Sequence, residues 1–221
     1  MGAKAVCLAS TGNMAASVSA YCTLAKIPCY VLVPEGTPIG KLAQSLSYGA
    51  RIIQVRGTYS DCTKLAAEMS KKYGFYLAGD YVFRIEGQKS LAYEIAEQLG
   101  WKAPDYVVCP MGCGTNNSAI WKGFKELKEL NLIDNLPKLI GVQPEGCNVI
   151  VKAFKAGKKT FEPLEKPSTV CTAIAAGNPL DGKKALKALY ESKGTTVEVT
   201  DELVLELEQF LAKQEAIFVE P

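Results

Sequence analysis

Residues 106–117 have the sequence YVVCPMGCGTNN, in which a short apolar run is followed by a turn that contains Gly112 and Gly114. A helical pattern through Trp121 and Phe124 comes next. Glycines let a backbone approach a ligand closely, and free N–H groups at a helix N-terminus bind phosphate. The stretch therefore predicts a strand, a turn and a helix, and it fits either a phosphate-binding loop or a plain turn capped by Asn.

Two other phosphate-binding motifs fit this stretch poorly. A dinucleotide-binding fingerprint needs a third glycine and a well-placed acidic residue, and both are missing after Gly114. A P-loop needs Gly-Lys-Ser/Thr, which does not follow either. The P-loop is excluded, and a dinucleotide-binding domain stays an alternative with weak support.

A second turn, residues 9–14 with the sequence ASTGNM, also lies between an apolar run and a helical pattern. Its hydroxyl and amide groups can cap the helix, or they can offer donors to a carboxylate or phenolate. Two such turns at the same edge of a parallel sheet suggest an extended anionic ligand between them.

Short apolar runs alternate with helical patterns such as Leu91–Leu99 and Leu203–Leu211. This alternation predicts an α/β fold with doubly wound, mostly parallel sheets. We expect two lobes, residues 1–80 and residues 81–221, with a boundary near Gly79–Arg84. The predicted strands are Ala5–Ala9, Cys29–Val33, Ile52–Val55, Phe75–Ala78, Tyr106–Cys109, Leu139–Val142, Thr196–Val199 and Ala216–Val219.

The composition excludes several classes of function. The net charge is +2 with Lys and Glu interspersed, which gives no electrostatic case for nucleic acid or for a membrane surface. The eight cysteines include no Cys-x-x-Cys pair, so we expect buried free thiols in a cytoplasmic protein and no metal site. The chain has no histidine, so any acid–base chemistry rests on Lys, Tyr, Cys, carboxylates or a cofactor.

Several further motifs carry a family resemblance. They are Ser10-Thr11-Gly12-Asn13, Val33-Pro34-Glu35-Gly36, Gly40-Lys41-Leu42-Ala43-Gln44, Tyr48-Gly49-Ala50, Arg84-Ile85-Glu86-Gly87-Gln88-Lys89, Trp121-Lys122-Gly123-Phe124, Gly141-Val142-Gln143-Pro144-Glu145-Gly146 and Thr172-Ala173-Ile174 with Gly177-Asn178-Pro179. Their order and spacing resemble the threonine synthase group of fold-type II pyridoxal-phosphate (PLP) enzymes across essentially the whole chain. The resemblance implies a tryptophan synthase β-like fold, incomplete here, and PLP as cofactor.

The resemblance also implies a role for each matching residue. Asn13 would face the phenolic oxygen of the cofactor, and Ser10 and Thr11 would meet the carboxylate or phosphate of the substrate. Arg84 would meet the substrate phosphate. The cofactor phosphate would be held by Gly112, Cys113, Gly114, Thr115 and Asn116.

The cofactor lysine has no counterpart among these motifs. In the family it precedes the Ser-Thr-Gly-Asn turn by some tens of residues, and Lys4 fits neither the motif nor the distance. We therefore expect the Schiff-base lysine upstream of Met1, and the partner of the pyridine nitrogen beyond Pro221. As such a fragment, the chain alone would be inactive, with apolar side chains exposed near Met1 and Phe218.

The chain departs from the family pattern in three places, and several of these positions handle the substrate phosphate or its surroundings in the family. Ala78-Gly79 replaces Asn-Ser, residues 112–116 replace Gly-Asn-Ala-Gly-Asn, and Ala175-Ala176 replaces Arg-Ile. The implied activity is conversion of O-phosphohomoserine and water to threonine and phosphate. The alternatives are a cysteate synthase-like replacement on O-phosphoserine, a threonine dehydratase-like elimination and a non-catalytic PLP-binding relic. The implied partner is a small amino-acid substrate, and a homodimer of the full-length protein stays open.

Overall fold

A computed structural model describes residues 2–79 and 81–221 of the chain. The polypeptide divides into two compact units, Met1–Asp80 and Tyr81–Pro221, each with its own parallel sheet. The predicted α/β class with parallel sheets is confirmed. Separate roles for the two predicted lobes stay a prediction. No helix in the described part combines the length and apolar content that a bilayer span needs.

The first unit has a sheet of four parallel strands in the order β3-β2-β1-β4. The strands are β1 (Val6–Ala9), β2 (Cys29–Pro34), β3 (Arg51–Val55) and β4 (Tyr76–Leu77), and the helices are α1 (Asn13–Leu24), α2 (Ile39–Ser47) and α3 (Tyr59–Tyr73). Since all strands run in one direction, their carboxyl ends lie at one edge, and the turn after β1 lies there.

Helices cover both faces of this sheet. Along β2, Val31 and Val33 belong to the core that includes residues of α1 and α2, while Leu32 belongs to the core with Cys62 and Ala66 of α3. The alternation follows from the two-residue period of a strand, which sends neighbouring side chains to opposite faces. An almost uninterrupted apolar run is therefore the correct sequence for this central strand.

The second unit has a sheet of three parallel strands in the order β5-β6-β7. Its elements are α4 (Tyr81–Gln88), α5 (Ser90–Gln98), β5 (Tyr106–Pro110), α6 (Thr115–Glu129), β6 (Lys138–Pro144), α7 (Val149–Lys155), α8 (Gly182–Glu191), β7 (Thr195–Val199) and α9 (Asp201–Glu215). The core includes Phe124 of α6, Leu139 of β6, Ile150 of α7 and Leu189 of α8, all fully buried. These contacts fix α6 and α8 against the sheet.

Two expectations about the chain ends are wrong. Residues Ala216–Val219 form no strand, because α9 ends at Ala216 in a left-handed conformation and β7 is the last strand in the sheet order. A short apolar run without a neighbouring strand cannot satisfy its backbone groups as a strand. Near the other end, Val6 and Cys7 are buried rather than exposed, because residues of α1 pack with Val6 and the Cys7 thiol contacts the carbonyl of Ala66 in α3. Phe218, by contrast, is 86% exposed, as expected.

Candidate functional site

The turn of the first unit connects β1 to α1 and leaves several donors open. The carbonyl of Gly12 accepts from the amide of Ala15 at 2.9 Å, and the amide of Gly12 makes a long bond of 3.4 Å to the hydroxyl of Ser10. No side chain caps α1. The backbone N–H groups of Thr11 and Asn13 find no acceptor in the described ranges. The plain capping interpretation is therefore wrong for this turn, because no side chain in the described part of the protein satisfies the first N–H groups of α1.

Asn13 is an exposed residue at the first position of α1. It lines a groove of about 460 Å³ together with Ser17, Tyr21, Gln44 and Tyr48. The side chains that line this groove are all uncharged. An amide donor on such a groove suits a neutral or weakly anionic oxygen such as a phenolate.

The turn of the second unit, residues 112–116, is called the glycine loop below. The amide of Met111 donates a hydrogen bond to the carbonyl of Val142 at 2.8 Å, which extends the hydrogen-bond ladder between β5 and β6 by one residue. Gly114 then adopts a left-handed conformation with φ +81°, and α6 begins at Thr115 without a side-chain cap. Within the described residues, the backbone N–H groups of positions 112–117 have no acceptor. Consecutive open amides before a helix form an anion-binding site, so the loop fits a phosphate.

The loop passes its neighbours too closely for larger residues. A Cβ at Gly112 would lie 2.9 Å from the Cα of Ile174, and one at Gly114 would lie 2.9 Å from the Cβ of Ala185. The glycines are required by these contacts, with the segment before α8 at Gly112 and with α8 itself at Gly114, in addition to the left-handed backbone at Gly114.

A buried glutamine supports the start of the loop. Gln143 at the end of β6 is fully buried, and its amide donates to the carbonyl of Met111 at 3.0 Å. Its side-chain oxygen accepts from the amides of Ile150 and Val151 at 2.9 and 3.1 Å. One side chain thus connects the strand before the loop to the first turn of α7.

Arg84 reaches the glycine loop through Thr115 and Asp181. Its Nη2 donates to the Thr115 hydroxyl at 2.5 Å and lies 3.3 Å from the Asp181 carboxylate. The Thr115 hydroxyl donates to the same carboxylate at 2.7 Å. Because that hydroxyl proton is already engaged, Thr115 offers a phosphate its backbone N–H rather than its side chain.

Asp181 was missed by the sequence reasoning, although it lies two positions after the Gly177-Asn178-Pro179 motif. Its side chain is 2% exposed, and Lys184 lies 2.8 Å from its second oxygen. Burial favours the neutral acid, but the hydrogen bonds from Lys184 and Thr115 and the charges of Lys184 and Arg84 outweigh it and lower the pKa of Asp181. The carboxylate is therefore ionised at neutral pH.

All eight cysteines are free, and seven of them are buried. Burial raises the pKa of Cys29 to about 12 and that of Cys109 to about 11. Cys113 in the glycine loop is only half-buried. It is therefore the one cysteine of the eight that is not buried.

The structure brings Arg84 and Thr115 together within the second unit, and it places Ser10, Thr11 and Asn13 in the first unit. Whether that turn faces the glycine loop stays a prediction, as do the individual roles of Cys113 and Asn116.

Comparison with known proteins identifies the class. The family model of the pyridoxal-phosphate dependent enzymes matches residues 1–221, so the chain belongs to this family. It is 46% identical over its whole length to threonine synthase from Methanocaldococcus jannaschii and 44% identical to that from Methanosarcina acetivorans. Threonine synthase from Mycobacterium tuberculosis is 41% identical. The chain spans 55% of the first two relatives and 59% of the third.

Solved structures confirm the fold. A threonine deaminase from T.th. superposes with a TM-score of 0.81 and 23% identity, over all of this chain and 70% of that one. Maize serine racemase gives a TM-score of 0.81 with 20% identity, over all of this chain and 64% of that one. The predicted tryptophan synthase β-like PLP fold is thereby confirmed, and the cofactor of the family is pyridoxal phosphate.

Proposed function

We propose that the chain carries the cofactor-phosphate and substrate-anion sites of a threonine synthase-type lyase, which converts O-phosphohomoserine and water to threonine and phosphate. The observation that carries the proposal is the 46% identity to a threonine synthase over the entire chain. The open N–H groups of the glycine loop support it, since they suit the phosphate of PLP.

When bound, PLP supplies an electron sink for carbanions next to the substrate nitrogen. The residues of this chain bind the cofactor and the substrate and orient them. The N–H groups of residues 112–116 donate to the cofactor phosphate, and Asn13 donates to the phenolic oxygen. The hydroxyl and amide donors of Ser10 and Thr11 hold the substrate carboxylate or phosphate. Arg84 holds the substrate phosphate, for which it must loosen its contact with Asp181.

Turnover needs the Schiff-base lysine, which none of the matched motifs supplies, so we propose that these 221 residues alone are inactive. We further propose that the longer enzyme is cytoplasmic, acts on a small amino acid and forms a homodimer.

A second candidate is a threonine dehydratase-like elimination, whose substrate carries no phosphate. The pairing of Arg84 with Asp181 favours it, because a guanidinium that already has a buried carboxylate partner is less available to a substrate phosphate. The replacement of the family's Arg-Ile by Ala175-Ala176 also favours the dehydratase-like elimination.

The test is a substrate panel on the enzyme extended to the length of its relatives, with these 221 residues as the inactive control. We expect phosphate release from O-phosphohomoserine with threonine formed in equal amount. Release from O-phosphoserine only with sulfite would favour the cysteate synthase-like alternative. Formation of 2-oxobutyrate from threonine, with no phosphate release, would favour the dehydratase. If the extended enzyme binds PLP but turns over none of these substrates, the result would favour the alternative of a non-catalytic PLP-binding relic.

A further inference from the structure

The segment before α8 contacts the glycine loop on both sides of Gly114. The amide of Asp181 donates to the carbonyl of Cys113 at 2.9 Å, and the Asp181 carboxylate accepts from the Thr115 hydroxyl at 2.7 Å. Gly114 lies between these two attachments, where a Cβ would be 3.0 Å from the Asp181 carbonyl oxygen. One residue therefore fixes three successive positions of the loop.

The charge around Asp181 is compatible with an anion on the loop. The carboxylate lies 3.3 Å from Arg84 and 2.8 Å from Lys184, so two cations surround one anion and the group keeps a net positive charge. Arg84 is held beside the first turn of α6 by the same carboxylate and by Thr115. The cluster thus adds to the attraction that the open amides exert on a phosphate.

The loop needs such support, because it contains two glycines and, among the described residues, consecutive N–H groups without acceptors. Glycine-containing backbone loses much conformational entropy when it is ordered, and unpaired amides favour opening toward water. A contact that orders the loop before the ligand arrives removes this cost from binding.

We propose that Asp181 is the positioning residue of the glycine loop: it fixes the backbone of residues 113–115 in the conformation that binds phosphate and holds Arg84 beside it. The inference rests on the proposed function for the identity of the ligand, the cofactor phosphate. The conformational part concerns this chain alone and is measurable without cofactor.

The first measurement is the rate at which the native chain reacts with Ellman's reagent. Cys113 is half-buried and the other seven cysteines are buried, so the fast phase reports the glycine loop, and loss of that phase in Cys113→Ser verifies the assignment. Asp181→Ala should raise the rate about tenfold by opening the loop. Thr115→Val, nearly equal in shape, removes only the hydroxyl contact and should raise it roughly threefold.

Glu191→Ala is the matched control. Glu191 ends α8 and accepts from the indole N–H of Trp121 at 2.7 Å, so it also connects α8 to α6 through a carboxylate, but away from the loop. The Glu191→Ala substitution should leave the rate at which Cys113 reacts with Ellman's reagent within about twofold of the wild-type value, even where the stability of the protein falls. Wild-type rates in both Asp181→Ala and Thr115→Val would overturn the proposal. If Asp181→Ala does not fold, Thr115→Val decides.

The second measurement is calorimetric binding of pyridoxamine 5′-phosphate and of pyridoxamine, neither of which has an aldehyde to react with surface lysines. Asp181→Ala should weaken the binding of pyridoxamine 5′-phosphate about tenfold and should leave the affinity for pyridoxamine within about twofold of the wild-type value. Equal weakening of both, or of neither, would overturn the phosphate-positioning role. If the wild-type chain binds neither probe, the proposed cofactor site fails, and the thiol rates still decide whether Asp181 orders the loop.

Discussion

The two strand–turn–helix connections of this protein have similar local chemistry but very different surroundings. The hydrogen bonds described for the turn at Ser10–Asn13 are local: Gly12 accepts from Ala15 and donates to the Ser10 hydroxyl, and Asn13 is exposed. The glycine loop is held by Gln143, Asp181 and the segment around Ile174, all distant in sequence. What distinguishes the two turns is the set of distant groups that contact the glycine loop, rather than their local sequence.

The electrostatic surroundings differ in the same way. The groove beside Asn13 has uncharged lining residues, whereas Arg84, Asp181 and Lys184 surround the start of α6. A phosphate dianion needs positive charge and several donors, while a phenolic oxygen needs only one or two. The roles that we propose for Asn13 and for the glycine loop are compatible with this difference in charge.

The largest expected effect comes from adding one methyl group to each turn. Gly114→Ala should lower the free energy of unfolding by roughly 2–5 kcal/mol, because it combines a left-handed backbone with a 2.9 Å contact to Ala185. Gly12→Ala should cost roughly 1 kcal/mol or less, since no atom lies within 4 Å of the new Cβ. Urea unfolding measures both.

Unfolding of the two units has to be followed by two different spectroscopic signals. Trp101 and Trp121, the only tryptophans, belong to the second unit, so fluorescence reports Gly114→Ala, and circular dichroism is needed for Gly12→Ala. Equal losses in the two variants would contradict the difference in packing.

Loss of the buried glutamine should have the next largest effect. Gln143→Leu leaves two amides and one carbonyl without partners, which should cost roughly 2–3 kcal/mol of unfolding free energy. The comparison in the first unit is Ser19→Ala, where a buried hydroxyl donates to the carbonyl of Ala15 in its own helix, and the loss should be about 1 kcal/mol or less. Similar values for both would mean that Gln143 does not support the loop.

The smallest expected effect is a pH dependence. The pKa of Asp181 is lowered in the folded protein. The contribution of its carboxylate to folding stability is therefore complete above the pKa of the unfolded state, about 3.9, and is lost as the pH falls through the pKa of the folded state. Asp181→Asn should be less stable than wild type by about 1–2 kcal/mol at pH 7, with the difference shrinking below about pH 4. Urea midpoints from pH 7 to pH 3 measure it, and a constant difference would argue against the ionised pair.

Local patterns in the sequence correctly predicted most strands and both turns. Seven of the eight predicted strands overlap an observed one, because apolar runs between helical patterns have few other structures to adopt. The strand predicted at Ala216–Val219 is wrong because pairing depends on a neighbour, which no local pattern reveals. The groups that hold the glycine loop share that difficulty, since Arg84 and Asp181 are separated by 97 positions.

The fold class, the strand–turn–helix character of both candidate sites and the family could be inferred from the sequence, because they depend on short-range periodicity and on short motifs of consecutive residues. The structure was needed to show that the Thr115 hydroxyl bonds to Asp181, that Arg84 already has a carboxylate partner, and that Gln143 and Asp181 contact the glycine loop and the strand before it. Such pairings depend on which helices the sheet brings together, and that is set by packing of the whole core rather than by any local stretch.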